Sequence, residues 1–309
     1  MPNDAYLETC AGVGAGFFSQ RMNQLMLDAK YIDEFERVLY NNILTGISAD
    51  GEHYTYQNPL TSDHYNRWEW HDCPCCPPMF LKMVAAVPDF IYLYNTDALY
   101  VNLFVGNETK VKHNNKQIGL KMDTKYPWDG KVSLKVTPES PTKLAIKVRI
   151  PNWALGQENP FALYQSNMSS PVVVKVNGQS VKVLPVKGYV TIDRTWKKGD
   201  EILVELPMKP RFVTANEQVK VLNGQVAIAS GPVVYSLEGN NNPGLNNLKI
   251  DTSAAMQITF NPQLLGGVNV ITGKGINEKS EKVEFKAVPY FAIGNIKIGD
   301  KYKVWINSK

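Results

Sequence analysis

The chain has 309 residues, 44% hydrophobic and 20% charged, a balance ordinary for globular proteins and enough for two or three domains that each bury a core. Its net charge of +4, from 33 basic against 29 acidic residues, is spread along the chain, with no Lys/Arg run to form a nucleic-acid footprint. No stretch of 18 apolar residues exists to span a membrane, and Met1-Pro2-Asn3-Asp4-Ala5-Tyr6 lacks the basic start and apolar core of a secretory signal.

The first ninety or so residues read as helical. Phe17, Met22, Leu25 and Met26 share one face of a helix from Val13 to Leu27. Tyr31, Phe35, Val38 and Leu39 give a second helix over Tyr31–Leu44, with Asp33, Glu34 and Glu36 on its polar side and in its first turns, where they favour the helix dipole. A third helix is expected to begin at Pro77-Pro78 and to run to about Val87. Between the last two lies a long polar and aromatic segment, Gly46 to Asp72, of a length that in compact domains is usually functional.

Strand patterns then take over. Ala98–Val105, Val132–Val136, Lys143–Ile150, Val172–Val176, Tyr189–Ile192 and Glu201–Leu206 are rich in strand formers, with tight turns at Asn177-Gly178 and Lys198-Gly199-Asp200. Gln225–Ser230, Val233–Leu237, Lys282–Val288 and Tyr302–Ile306 continue the theme. Strands at this spacing without intervening helices indicate antiparallel sandwiches. The expected layout is a helical part over residues 1–92, a first β-sandwich over 93–209 and a second over 210–309, with the last strand free to return to the first. Three helices cannot enclose a mature pocket, so the helical part reads as the end of a larger helical assembly.

The four cysteines lie in two places: Glu8-Thr9-Cys10, and Cys73-Pro74-Cys75-Cys76-Pro77-Pro78. Clustering beside prolines suggests metal coordination or thiolate chemistry rather than core filling or disulfides, since adjacent Cys75 and Cys76 are poorly placed for separate bridges. Residues i and i+2 point roughly 200° apart on a helix, so Glu8 and Cys10 need extended or turn backbone to converge. Glu8, Cys10, Cys75 and Cys76 satisfy tetrahedral zinc; Cys73 in place of Glu8 would give an all-cysteine structural site. Cys73 otherwise reads as a small packed side chain. His71 and Asp72 are candidates to orient a ligand or to shape the loop. His53 and His64 read as exposed. Trp68 and Trp70 are expected to anchor the helical core, with stacking on a sugar as the second reading, and Trp153 and Trp196 to fill the sandwiches.

Glu8-Thr9-Cys10-Ala11-Gly12-Val13-Gly14, Tyr54-x-Tyr56-x-Asn58-Pro59-Leu60 and Cys73-Pro74-Cys75-Cys76-Pro77-Pro78 resemble the β-L-arabinofuranosidases of glycoside hydrolase family 127 and the related family 146, as do the closing Phe285–Tyr290 and Val304-Trp305-Ile306. The resemblance implies an α+β multidomain fold: the C-terminal helices of an (α/α)6 barrel followed by two antiparallel β-sandwiches. It implies Zn²⁺ held by Glu8, Cys10, Cys75 and Cys76, with Cys75 as nucleophile of a retaining hydrolase that releases L-arabinofuranose. It also puts the acid/base glutamate and the sugar-binding histidines upstream of this sequence, so a truncation or one piece of a split enzyme is expected. Its partners would be plant arabinofuranosides or pectic sugars, with the N-terminal barrel portion or a homodimer mate; the compartment stays open. A non-catalytic, zinc-stabilised carbohydrate-binding or assembly module is the alternative. A thiol redox protein lacks the expected Cys-x-x-Cys spacing.

Overall fold

Helix formation at the start of the chain is set by what lies just outside each helix. In the computed structural model, which describes residues 6–159, 161–167, 170–295 and 299–309, Glu8 is extended at φ −71°, ψ 144°, and helix α1 (Thr9–Met26) begins immediately after it. The stretch Met1–Ala5, read above for an export signal, lies outside the described residues. Helix α2 (Lys30–Asn41) follows, and its end passes into a 3₁₀ turn over Ile43–Gly46. Helix α3 (Cys76–Phe90) starts at Cys76, with its prolines in the first turn, where the missing N–H groups have no helical partner to lose. All three helices match the expected ones, but α1 and α3 start earlier, so Cys10 and the Cys75-Cys76 pair sit at helix N-termini. Val13, Ile32, Phe35, Phe80 and Met83 form their shared core.

The acidic side of α2 is not solvated as the pattern suggested. Asp33 and Glu36 are 7% and 1% exposed, and both bind the fully buried Arg149, whose Nη1 lies 2.7 Å from Asp33 Oδ1. Buried carboxylates persist only when paired. An arginine 113 residues beyond Glu36 is invisible to a helical-face pattern.

Two sheets follow. One has six antiparallel strands in the order Gln179–Val181, Val173–Val176, Asp200–Glu205, Lys131–Pro138, Lys116–Thr124 and Asn107–His113. The other has four, in the order Tyr189–Trp196, Thr142–Arg149, Ala98–Val101 and Tyr92–Tyr94. Buried residues from both sheets meet in the cluster that also holds the helical core: Ile118, Leu120, Val132 and Leu134 with Ile146, Val148, Val190 and Trp196. One expectation fails here, because Ala98–Val101 runs parallel to Thr142–Arg149. The Asn177-Gly178 turn is as expected, with φ of +51° and +79° giving the mirror-image turn that suits strand twist.

An eleven-stranded sheet dominates the C-terminal region, with Val268–Ile276, Lys282–Pro289, Val233–Glu238, Gln225–Ser230 and Arg211–Ala215 as successive neighbours. It draws in chain from elsewhere. Thr61–Tyr65 pairs with Asp300–Lys303, and Tyr164–Ser166 pairs with Arg211–Ala215. The closing strand Ile306–Asn307 pairs with Gln225–Ser230 and stays in this sheet rather than returning to an earlier one. No helix among the described residues is long and apolar enough to cross a membrane.

Candidate metal and thiolate site

The long segment after the 3₁₀ turn is what brings the two cysteine clusters together. Tyr54 pairs with Trp68, folding the segment back on itself. Thr9 N–H donates to Tyr56 O at 2.9 Å and Asn58 N–H to Leu7 O at 2.8 Å, which lays residues 56–58 beside the start of α1. The buried Asn58 amide donates to Thr9 Oγ1 at 2.9 Å, and Thr9 Oγ1 in turn donates to Thr55 O at 2.7 Å. Arg67 anchors the far end, donating to Phe291 O and Ile293 O, each at 3.1 Å. Gly46 permits the close approach: a Cβ there would stand 2.9 Å from Phe80 and 3.0 Å from Thr9.

The result is a cluster of three sulfurs. The Sγ atoms of Cys10, Cys75 and Cys76 all lie within 4.8 Å of one another, with 3.4 Å between Cys10 and Cys75 and 4.0 Å between Cys75 and Cys76. Cys10 Sγ lies 3.0 Å from Glu8 Oε2. Tyr56 closes one side, its Oη 3.8 Å from Cys75 Sγ. Glu8 and Cys10 converge because Glu8 is the extended residue just outside the helix and Cys10 lies in its first turn, as spacing on a helix required.

Of the three thiols, one is distinguished. Burial raises the Cys75 thiol, but hydrogen bonds from Cys10, Tyr56, Cys76 and Cys73 outweigh it and hold it below its ordinary value. Burial pushes Cys10 up, aided by its bond to the Glu8 carboxylate, and burial likewise raises Cys76. Glu8 is held below the usual carboxylate range by hydrogen bonds from Cys10 and Tyr56. Cys75 is the residue preceding α3 and Cys76 its first, so both sulfurs lie at the positive end of that helix's dipole, although Pro77 and Pro78 contribute no N–H groups to it.

The donor set fits a zinc ion. A tetrahedral site with Zn–S of about 2.3 Å has ligand-to-ligand edges of about 3.8 Å, and the sulfur separations of 3.4 and 4.0 Å bracket that. The Glu8 carboxylate reaches Cys10 Sγ at 3.0 Å but stands outside the group of three sulfurs that lie within 4.8 Å of one another. Cys73 is exposed and outside the three-sulfur group, so it is not the small packed side chain that was expected.

His71 stacks on Tyr56 with ring centroids 4.4 Å apart, and its Nδ1 accepts the Cys73 N–H at 3.0 Å, shaping the loop from outside the cluster. Asp72 is exposed, with no hydrogen bond to the cluster among the described residues. His64 is exposed, and His53 stands 3.5 Å from the Asp50 carboxylate. Trp68 stacks on Tyr56 at 5.5 Å as a half-buried wall, whereas Trp70, expected in the core, is 71% exposed. Trp153 and Trp196 are buried as expected. Sequence reasoning assigned no role to Tyr56; only the pairing of residues 56–58 with the start of α1 reveals it.

The chain is matched by three family models: the β-L-arabinofuranosidase catalytic domain of family GH127 over residues 1–89, the middle domain of that family over 98–208, and its C-terminal domain over 210–307. It is 30% identical over 341 residues to the non-reducing end β-L-arabinofuranosidase of Bifidobacterium longum subsp. longum, an alignment covering 97% of this chain and 49% of the relative. A GH127 β-L-arabinofuranosidase from Geobacillus stearothermophilus T6 superimposes with a TM-score of 0.91 at 36% identity, over 100% of this chain and 51% of that one. A second GH127 β-arabinofuranosidase structure gives 0.91 at 35% identity, over 99% and 50%. The chain therefore spans about half the length of the relatives it matches.

Proposed function

The chain belongs to glycoside hydrolase family 127, and from that premise we propose that it carries the nucleophile half of a retaining β-L-arabinofuranosidase. The observation that supports this most is the close grouping of Cys10, Cys75 and Cys76 beside Glu8. Glu8, Cys10, Cys75 and Cys76 would hold zinc, which when bound supplies the positive charge that keeps a thiol ionised near neutral pH. Cys75 is the nucleophile. Its thiolate attacks the anomeric carbon of an L-arabinofuranoside, and the glycosidic oxygen leaves with the bonding electrons and a proton from a glutamate outside this chain. Water then displaces the Cys75 sulfur, which leaves as thiolate while the same glutamate takes the water's proton, releasing arabinofuranose with configuration retained. Tyr56 orients the sulfur and shields one side of it.

Residues 1–92 are read as the last helices of an (α/α)6 barrel, 93–209 and 210–309 as two β-sandwich units. Phe18, Leu25, Leu81 and Val84, all 45% exposed or more on α1 and α3, suit a helical neighbour that would cover them. Plant-derived arabinofuranosides are the substrate class this reading favours.

The test is labelling of the chain with an electrophilic arabinofuranose mimic, followed by mass spectrometry. A single adduct on Cys75, absent from Cys75→Ser, is expected. Modification confined to Cys73, or no adduct when the protein is supplied with the rest of the barrel, would contradict the assignment.

A further inference from the structure

Protein interiors are packed to the density of organic crystals, and voids larger than a water molecule are few. In this chain a cavity of about 250 Å³ lies where α2, the 3₁₀ turn Asn152–Leu155 and the C-terminal sheet meet. Small-molecule sites favour such junctions. An apolar cavity of only ~150 Å³ stays dry and takes up benzene. None of Glu8, Cys10, Cys75 and Cys76 lines this one.

Its walls are chiefly aromatic and aliphatic. Trp153, Tyr164, Tyr290 and Trp305 supply rings from four separate segments, and Tyr164 and Trp305 stand 5.7 Å apart, centroid to centroid. Ala229, a small buried residue, lies opposite Arg211 in the sheet and leaves the space unfilled. The charges on the wall are already matched. Arg211 donates to the Glu158 carboxylate through Nε at 2.6 Å and Nη2 at 2.9 Å, and its guanidinium lies 5.3 Å from the Trp153 ring centroid. Asp33 and Glu36 are held by Arg149, and Arg37 stands 3.4 Å from Glu34. An ion entering here would lose its water and find no unpaired counter-charge. A neutral ring carries no such penalty and can meet the wall's rings edge-to-face. The half-buried Tyr164 hydroxyl has no partner among the described residues, which leaves a donor and an acceptor for one polar group on that ring.

We propose that this cavity is a binding site for a small neutral aromatic molecule of the phenol class, which bridges α2, the segment carrying Trp153 and Tyr164, and the C-terminal sheet. The proposal does not depend on the hydrolase reading, since no residue of the thiolate cluster takes part.

Saturation-transfer NMR of the full chain with phenol, cyclohexanol and benzoate, each at millimolar concentration, tests it. Phenol should bind saturably. Cyclohexanol, of similar size but without an aromatic face, should bind roughly 3- to 10-fold more weakly, and benzoate should show no saturable binding. Ala229→Leu, which fills the space from the sheet side, should abolish phenol binding. Tyr164→Ala removes a half-buried wall and should weaken phenol binding roughly 3- to 10-fold; it carries the test if Ala229→Leu does not fold. No saturable phenol binding by the wild-type chain, unchanged phenol affinity in either folded variant, or cyclohexanol or benzoate binding as tightly as phenol would overturn the proposal.

Discussion

Cys75 is set apart from Cys10 and Cys76 because its hydrogen-bond contacts, Tyr56 at 3.8 Å among them, favour its charged form. A donor to a thiolate stabilises the charged form and lowers the thiol's pKa. Tyr56→Phe should therefore raise it, and the pH at which alkylation of Cys75 is half-maximal in metal-stripped protein should move upward. An unchanged profile would show that Tyr56 contributes only packing. At this scale the meeting of Cys10 with Cys75 and Cys76 was legible in the sequence, because three cysteines in four positions beside prolines and a separate Glu-x-Cys pair have few other physical explanations. Tyr56 was not, since its position over Cys75 comes from backbone bonds made 47 residues upstream, between Tyr56 O and Thr9 N–H. Cys73 and Trp70 were misread for a simpler reason: residue type favours burial, but a proline-rich loop leaves them facing solvent.

The unit that makes the site is a pair of helix starts clamped around a glycine. Gly46 lies against Thr9 of α1 and Phe80 of α3, the two helices whose first turns or caps carry the sulfurs. Gly46→Ala would force these starts apart by a few tenths of an ångström, an overpacking change that costs about 1–3 kcal/mol. It should lower the denaturant midpoint by that amount and weaken metal binding, measured by competition with a chromogenic chelator; a tighter-binding variant would refute the clamp. Helix existence was readable from periodicity, and the helix starts were displaced because extended Glu8 sits closer to the helix than the apolar pattern suggests. The Lys116–Thr124 strand was present as the alternation Ile118, Leu120, Met122, all buried, and was masked by Gly119 and the charges between them.

Across the whole molecule, the helical part is tied to both sheet regions by buried polar contacts rather than by apolar packing alone. Arg149 joins α2 to the four-stranded sheet through Asp33 and Glu36, and Asn41 joins α2 to the C-terminal sheet, donating to Pro232 O at 2.8 Å and accepting the Val234 N–H at 2.7 Å. None of these is visible in local sequence, because each partner is more than a hundred residues away. Burial has a consequence for pH. It raises Asp33 against the pull of Arg149, and it raises Glu238, with the neighbouring Asp300 adding to the effect, to about 7. A carboxyl whose pKa is higher folded than unfolded binds more protons in the folded state, so its ionisation costs stability as pH rises. Stability from these groups is therefore fully present below the unfolded carboxylate pKa and falls from about pH 4.5 to about pH 7. Glu238→Gln, which removes one of the two, should be more stable than wild type by about 1–3 kcal/mol at pH 8 and close to it at pH 4.5. Chemical denaturation at the two pH values checks this, and equal offsets at both would contradict it.

The central claim is that two separate cysteine motifs form one metal-binding thiolate site. Elemental analysis of the purified, folded chain tests it most directly, alongside Cys10→Ser, Cys76→Ser and Cys73→Ser. One zinc ion per chain is expected in the wild type and in Cys73→Ser, with most of it lost from the other two variants. Folded protein without metal, or a metal content that depends on Cys73 as strongly as on Cys10, would contradict the account.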